Sequence, residues 1–533
     1  MNAFVPVRCR GNGIAMSKRR RPSPEKIKAQ KKKRNRAQYD LRAAQEAAGL
    51  IASPSATISN GKCQHENVEE EKSARLDAVS QQVKVYRMML PVLLARLSKI
   101  RDPRNPKKIR HKMTVLMLYG ILCFAFQMAS RREATREMTR PMFMANLHQL
   151  FPELEDLPHH DTLARILDRI NVSEIEQAHI AMIRHLIRGK KFQRYLIAGC
   201  YPVAVDGTQK FTRAQLWNRE CLERKVKTKK QKDSTLEPEE KKQYYVYVLE
   251  ANLVFRNGMV IPLLSEVLSY TEGDNDKNKQ DCEQRAFRRL AKRLKKHFSH
   301  LAIMVLFDGL YPNGPVIELC RKNKWDFMIV LQDKSLPSVW DDINGLKDQQ
   351  AGNCFHQQWG KRNQHFWWVN NIDYRYLCPV SKKEKQQMLH VVVCEENWHE
   401  IAADSAEVIE KQSRHVWISE VQLCTRNVHE RCNLGARHRW GIESGILVEK
   451  HQGYQYEHCF SYQWDVMRGY HYLMRLGHAL NVLACHSYVL AKYVRDLGVR
   501  GLIAFVRNTI ASPWLDADEL RKIATASCQL RLE

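Results

Sequence analysis

Apolar residues recur at intervals of three and four in "VYRMMLPVLLARLSKI", "MTVLMLYGILCFAFQMAS", "HHDTLARILDRI" and "IEQAHIAMIRHLIRG", so residues 84–195 read as a compact helical domain. Asp161, or Thr162 beside it, is the expected helix cap before Leu163. The period changes near residue 196. "YLIAGCYPVAVDGTQKF" is a short apolar run that ends in Asp206-Gly207, and "YYVYVLEANLVF" and "MVIPLLSEVLSY" flank Asn257-Gly258, a turn dipeptide that hairpins prefer. "QRAFRRLAKRLKKHF" sets Phe287, Leu290, Leu294 and Phe298 on one face and basic residues on the other, which predicts an amphipathic helix packed on that sheet. A further apolar strand ends at Asp308, "PVIELCRKNK" returns as a helix, and "DFMIVLQD" supplies another strand. Strand, helix, strand predicts an α/β core. From 336 to 432 the pattern predicts a β-rich insertion, and from 433 long helices carry the chain onward.

Charge narrows the partners. The 533 residues hold 86 Lys+Arg against 58 Asp+Glu, a formal net charge of +28, which suits a polyanion such as nucleic acid. The longest apolar segment, Met113 to Ser130, has about fourteen mostly apolar residues before a glutamine, short of the roughly 20 that span a bilayer, and predicts a buried helix rather than a membrane anchor. No signal-peptide pattern opens the chain, so secretion is not expected. The fifteen cysteines lack C-x-x-C pairs and zinc spacing, so reduced thiols are expected. Residues 1–83 include "SKRRRPSPEKIKAQKKKRNR" and read as a basic arm, disordered when free, that serves either as a solubilising tail or as a salt-sensitive DNA contact.

Candidate chemistry centres on "ARHRWGIESGILVEK", residues 436–450. At about 100° per residue, Glu443 lies about 40° and Lys450 about 20° round from Arg439, so one narrow helix stripe carries all three, with Ile442 and Leu447 opposite. A solvated charged face explains that spacing equally well. Asp206 and Asp308 each follow an apolar strand, where active sites of open α/β sheets collect, although Asp-Gly also merely turns a chain. Glu250, Glu266 and Asp333 are rival carboxylates. Three acids without a Cys or His ligand set suit hard cations such as Mg²⁺ or Mn²⁺, and a pair of such ions suits phosphodiester chemistry, with Arg439 and Lys450 holding phosphates.

These residues resemble the DDE transposases of bacterial insertion sequences. Members of the group with the signature Tyr-x2-Arg-x3-Glu-x6-Lys are similar in Asp206-Gly207-Thr208, in Asp308, and in Arg439, Glu443 and Lys450 at the signature spacing; Ala436 stands where the tyrosine would fall. The resemblance covers roughly residues 85 to 490. It implies a ribonuclease H-like mixed α/β sheet flanked by helices, interrupted by a β-rich insertion and preceded by an all-helical domain. The expected segments are 1–83 (arm), 84–195 (helical DNA-binding or dimerisation domain), 196–335 (first part of the core), 336–432 (insertion) and 433–533 (remainder of the core). It implies a transposase that binds the inverted ends of its element, cleaves there and joins the 3′-hydroxyl to target DNA. Asp206, Asp308 and Glu443 would hold two Mg²⁺ or Mn²⁺ ions, and Arg439 and Lys450 would contact DNA. Partners implied are double-stranded DNA and further copies of the chain, as a homodimer or larger synaptic complex, in the cytoplasm at the nucleoid and without a membrane. Trp367, Trp368 or Trp417 would stack on an unpaired base, against the competing reading of core aromatics. Two alternatives remain: a DNA-binding relative that does not cut, and a metal-dependent nuclease without strand transfer.

Overall fold

The computed structural model describes residues 23–50, 63, 65–227, 240–273, 280–379 and 381–533. These fall into two compact units, one drawn from Met1–Ser53, His356–His365 and Glu395–Arg414, the other from Pro54–Phe355, Phe366–Cys394 and His415–Glu533.

Within the expected arm, α1 (Pro24–Ala47) is a helix, which differs from the disorder that composition predicts. Its start is set by Ser23, whose hydroxyl accepts from the Lys26 N–H, and by Pro24 in the first turn. Arg36–Asp40 and Arg42–Glu46 pairs at i,i+4 support it, and Arg34 Nη1 donates to the Ala403 carbonyl at 2.8 Å. Residues 1–22, 51–62 and 64 of the arm lie outside the described residues. The expected boundary at 83 falls inside α2 (Val68–Leu97), which Asn67 caps and which carries Glu69, Glu70 and Glu71 in its first turn, favourable at the positive helix end.

Five more helices follow: α3 (Met113–Ala125), α6 (His160–Leu167) and α7 (Ser173–Arg188) lie where the periodicity predicts helices, and α4 (Arg131–Met138) and α5 (Pro141–Leu150) stand between them in a stretch where no helix is predicted. α3 is buried on nearly every side, and among the described residues no helix is long and apolar enough to cross a membrane. The cap of α6 is His159, whose ring accepts from the Asp161 N–H, so Asp161 and Thr162 sit inside the first turn instead.

The strands are β1 (Tyr201–Arg213), β2 (Leu222–Lys227), β3 (Glu240–Val254) and β4 (Val260–Val267), then β5 (Ile303–Phe307) after helix α8 (Glu283–His297), and β6 (Asp326–Val330) after α9 (Gly314–Lys322). Helix α10 (Pro337–Leu346) precedes β7 (Cys354–Trp359), β8 (Arg362–Leu377), β9 (Glu384–Ile401) and β10 (Val408–Ser419). They form one open sheet in the order β2-β3-β1-β5-β6-β10-β9-β8-β7, with β4 paired to β3. Parallel pairing of β1, β5 and β6 beside antiparallel neighbours makes this the mixed, helix-flanked ribonuclease H-like sheet. The strands expected as an insertion join the same sheet, since β10 pairs with β6 through Trp417↔Val330. Trp368 and Trp417 are buried and Trp367 is half-buried against the core, which fits the core reading of these aromatics.

The chain closes with α11 (Gly441–His451), α12 (Trp464–Cys485), α13 (Ala491–Ile510) and α14 (Ala517–Thr525). α11 packs on β1, β3 and β4, while α12, apolar almost all round, is buried against α3, α7 and β4. Every cysteine among the described residues is a free thiol.

Candidate acid site

The first two acids meet through strand register. β1 and β5 pair in parallel from Tyr201↔Ile303 to Ala204↔Leu306, and the same register carried two residues further sets Asp206 opposite Asp308. Because side chains alternate along strands, residues in equal phase share a face. β5 stops at Phe307, and Asp308 Oδ1 accepts from the Leu310 N–H at 2.9 Å to start the following turn. β1 continues beyond that point because β3 pairs with its other edge, with Asp206 opposite Glu250. Asp206-Gly207 is therefore mid-strand and makes no turn. What the glycine supplies is space: a Cβ there would come within 2.6 Å of Glu283 Oε1 and of the Tyr247 ring.

The third acid arrives on α11. Its approach is irregular, a π turn over Glu430–Gly435 and a 3₁₀ turn over Ala436–Trp440, so a single α-helical stripe begins only at Gly441. Arg439 still reaches forward, with Nη2 2.9 Å from Glu443 Oε1 and Nη1 3.9 Å from Asp206 Oδ2. The residue is 5% exposed, and Nε and Nη1 have no hydrogen-bond acceptor among the described residues. Ile442 is buried as expected, but Leu447 is exposed; the buried stripe is Ile442, Gly445, Ile446 and Glu449. The difference follows from where α11 meets the sheet, with Val260 against Gly445.

Burial pushes the Asp206 carboxyl up to about 7; the Asp308 and Glu443 charges add to the rise and Arg439 opposes it. The three acids thus share one local field. Their ligand atoms are nevertheless not gathered within 4.8 Å of one another; among the described residues that spacing is met by His159, His160 and Asp161. An all-oxygen donor set, a desolvated carboxyl raised by its neighbours and a buried arginine with free donors together fit a divalent cation and an anionic ligand at the acid site.

Lys450 is not drawn to the acids by any contact among the described residues: its ammonium pairs with Glu457 at 3.0 Å. The rivals are accounted for otherwise. Glu250 is wholly buried, accepting from Ser265 and Tyr456 and paired with Arg475 at 3.1 Å; Glu266 pairs with Arg289 and Arg293; Asp333 is exposed. Ala436 packs in the core cluster that contains Ile197 and Met304, and the neighbouring Arg437 bonds Asn433 at 2.9 Å. Burial and the Arg256 charge lower the pKa of His438.

Three residues absent from the sequence reading stand at this site. Tyr247 donates to Glu283 Oε1 at 2.6 Å, and the buried Tyr311 hydroxyl lies 3.5 Å from Glu283 Oε2. Burial and the Asp308 charge raise the pKa of Glu283, while Asp206 contributes to raising both tyrosines. In sequence, a glutamate opening a helix signals only a favourable dipole contact.

Residues 94–183 match the family model described as DDE_Tnp_1-associated. The match runs from the end of α2 into α7, less than a fifth of the chain, and does not include the acid site. No curated protein matches the chain. Fold and match together support a nuclease/transposase-superfamily assignment. The matched segment contains His159, His160 and Asp161, which could coordinate a metal ion. There His160 Nδ1 also lies 2.8 Å from Thr135 Oγ1, and the positive end of α6 together with Arg131 and Arg132 disfavours added positive charge.

Proposed function

We propose that this chain is a DNA transposase that binds the inverted ends of an insertion sequence, cleaves the strand there by metal-dependent phosphodiester hydrolysis and joins the 3′-hydroxyl to target DNA. The observation that carries the reading is the register that sets Asp206 level with Asp308 at the end of paired parallel strands, with Arg439 bonded to Glu443 and facing Asp206. Asp206, Asp308 and Glu443 would hold two Mg²⁺ or Mn²⁺ ions, which when bound activate the attacking oxygen and stabilise the leaving one. Arg439, buried with free donors in the turn before α11, positions a backbone phosphate beside the acids; Lys450, near the end of α11, extends that contact along the DNA. The helical domain and the basic α1 contribute binding to double-stranded DNA, and pairing of ends requires at least two copies of the chain.

The test is cleavage of the element's own ends with Mg²⁺ and with EDTA. Glu443→Gln is expected to cut cleavage by roughly 100-fold or more, the scale of losing one preorganised electrostatic contact, while DNA binding persists. Unchanged cleavage removes Glu443 from the site. The buried Ala436 favours a second reading, a DNA-binding relative that does not cut, and that reading predicts binding with no metal-dependent product.

A further inference from the structure

Helix α8 covers the face of the sheet turned away from Asp206. Side chains of successive strand residues point to opposite faces, and a Cβ on Gly207 would meet Glu283, the first residue of α8. Glu283 is the only acid of that helix. Of its basic residues, Arg289 pairs with Glu266 and Asp281, Arg293 pairs with Glu266 and with Glu176 of α7, and Lys295 donates to the carbonyls of Ser299 and Asn323. Arg288, Lys292 and Lys296 are different: they are exposed, they follow one another at i,i+4 along one line of the helix, and none has an ion-pair partner among the described residues. Like charges at that spacing repel, so the row weakens the helix that bears it. It leads toward a second row, Arg184 and Arg188 on α7, equally exposed and without an ion pair among the described residues. The two rows meet around His297, whose pKa is lowered by burial and then by the charges of Arg293, Lys296, Arg184 and Arg96.

A ridge of cations that the protein itself leaves uncompensated fits a polyanion. From Arg288 to Lys296 is about 12 Å at 1.5 Å per residue, the length over which one strand of a duplex presents about three to four phosphates. No large apolar or aromatic side chain of α7 or α8 is exposed beside the row, so it offers nothing to insert into a lipid surface or to stack on an unpaired base. Phosphate contacts from lysine and arginine position a duplex without reading its sequence. We propose that the ridge of Arg184, Arg188, Arg288, Lys292 and Lys296 binds duplex DNA of arbitrary sequence, the target rather than the element's ends. The inference rests on the transposase reading, which requires two kinds of duplex, and gives the sequence-independent one a surface of its own. Because α8 begins beside Gly207, a duplex along it runs from the edge that carries the acids, on the sheet face opposite Asp206 and Arg439. The two duplexes therefore approach that edge from opposite faces.

The test uses the full-length chain in EDTA, where no strand is cut or joined. The chain is saturated with an unlabelled duplex carrying the element's end, and a fluorescent duplex of random sequence is then titrated and followed by anisotropy. The parent is expected to bind it. The triple variant Arg288→Gln, Lys292→Gln, Lys296→Gln is expected to bind it about tenfold or more weakly, with the slope of log K against log salt lowered by about 2 to 3, while its affinity for the end duplex stays within about twofold. If the triple variant binds the random duplex with the parent's affinity and slope, the inference is overturned and the transposase reading stands. If the variant loses both duplexes equally, or if the end duplex keeps the random one off the parent, the ridge is no separate target surface and the inference is again overturned. A parent that binds neither duplex overturns the inference and the transposase reading together. Vesicles of anionic phospholipid that bind the parent but not the triple variant, with duplex binding unchanged, overturn the inference in favour of a membrane. Should the triple variant lose the parent's circular dichroism spectrum, Arg184→Gln combined with Arg188→Gln decides: random-duplex binding equal to the parent's overturns the inference.

Discussion

Arg439 donates to Glu443 Oε1 at 2.9 Å across the junction where a 3₁₀ turn becomes α11. The same guanidinium faces Asp206, so one buried cation balances two acids that lie 237 positions apart in sequence (443 − 206). Arg439→Met leaves those acids and Asp308 without compensation. Because Glu443 is partly exposed, the cost in EDTA is expected to be modest, about 1 kcal/mol, read as a fall in Tm of a few degrees. Mn²⁺ is expected to recover most of that loss by replacing the missing positive charge. A melting curve of the variant that ignores Mn²⁺ would count against a cation at this site.

Gly207 is needed for space, not for an unusual backbone angle. Gly207→Ala places a methyl group against Glu283 Oε1 and the Tyr247 ring, so these two bonded side-chain ends must shift together to admit it. Forced overpacking of this kind costs about 1–3 kcal/mol. Gly345→Ala is the control, since nothing lies within 4 Å of the added carbon in α10 and alanine favours a helix. Chemical denaturation of both variants is expected to show a loss for the first and none for the second.

Much of this arrangement is legible in the sequence, and the exceptions share a cause. Period-2 and period-3.6 patterns report burial, so they locate α3, α7, β3, β4 and β5 closely. They are silent on β2, whose "LERKVK" is charged, and they mark α1, with no buried residue, as unstructured. Asp206, Asp308, Arg439 and Glu443 stand out because they interrupt apolar runs or repeat a known spacing. Glu283 does neither, and its contacts are with Tyr247 and the space beside Gly207, on two other elements that only folding brings near. The placement of Leu447 and Lys450 fails for a related reason: the pattern defines a stripe but not which neighbour covers it, and here Glu457 claims the lysine.

Lys31, Lys32 and Lys33 are exposed on α1, where they serve DNA phosphates if the proposed function holds. Each phosphate contact releases counterions and adds about 0.9 to the slope of log K against log salt. Changing all three lysines to glutamine is expected to lower that slope by about 2 to 3 for any DNA sequence, measured by fluorescence anisotropy from low to moderate salt. A slope equal to the parent's would mean that α1 does not touch the duplex.

Arg475 fixes α11 to the sheet. Its guanidinium lies 3.1 Å from Glu449 of α11 and 3.1 Å from Glu250 of β3, both fully buried, and His478 bonds Glu449 at 2.6 Å. Arg475→Met leaves two buried carboxylates facing each other, and losing one partner of such a group costs about 3–5 kcal/mol. Adding Glu250→Gln and Glu449→Gln is expected to restore most of the stability, because the penalty belongs to the unpaired charges. Urea unfolding of the single and triple variants tests this: a triple variant as weak as the single one would assign the loss to packing around α12.

His179 sets an acid limit on the fold. It is buried in α7, its Nε2 has no partner among the described residues, and burial, reinforced by the Arg475 charge, lowers its pKa from 6.5 to about 3. The unfolded chain therefore takes up this proton more readily than the folded one. The stability that neutral His179 contributes is fully present above pH 6.5 and is lost as pH falls from 6.5 toward 3. His390, lowered to about 4 by burial and by Arg321 and Arg431, acts in the same direction over nearly the same window. In that range each such histidine contributes a slope of up to about 1.4 kcal/mol per pH unit. His179→Leu removes one titrating group, so unfolding free energies measured from pH 7 to pH 4 are expected to fall less steeply than for the parent, with His390 retaining part of the slope. The variant would be the weaker protein at pH 7, where it lacks the hydrogen bond to Pro262, and would close that gap as the solution is acidified. Parallel curves would place the acid sensitivity elsewhere.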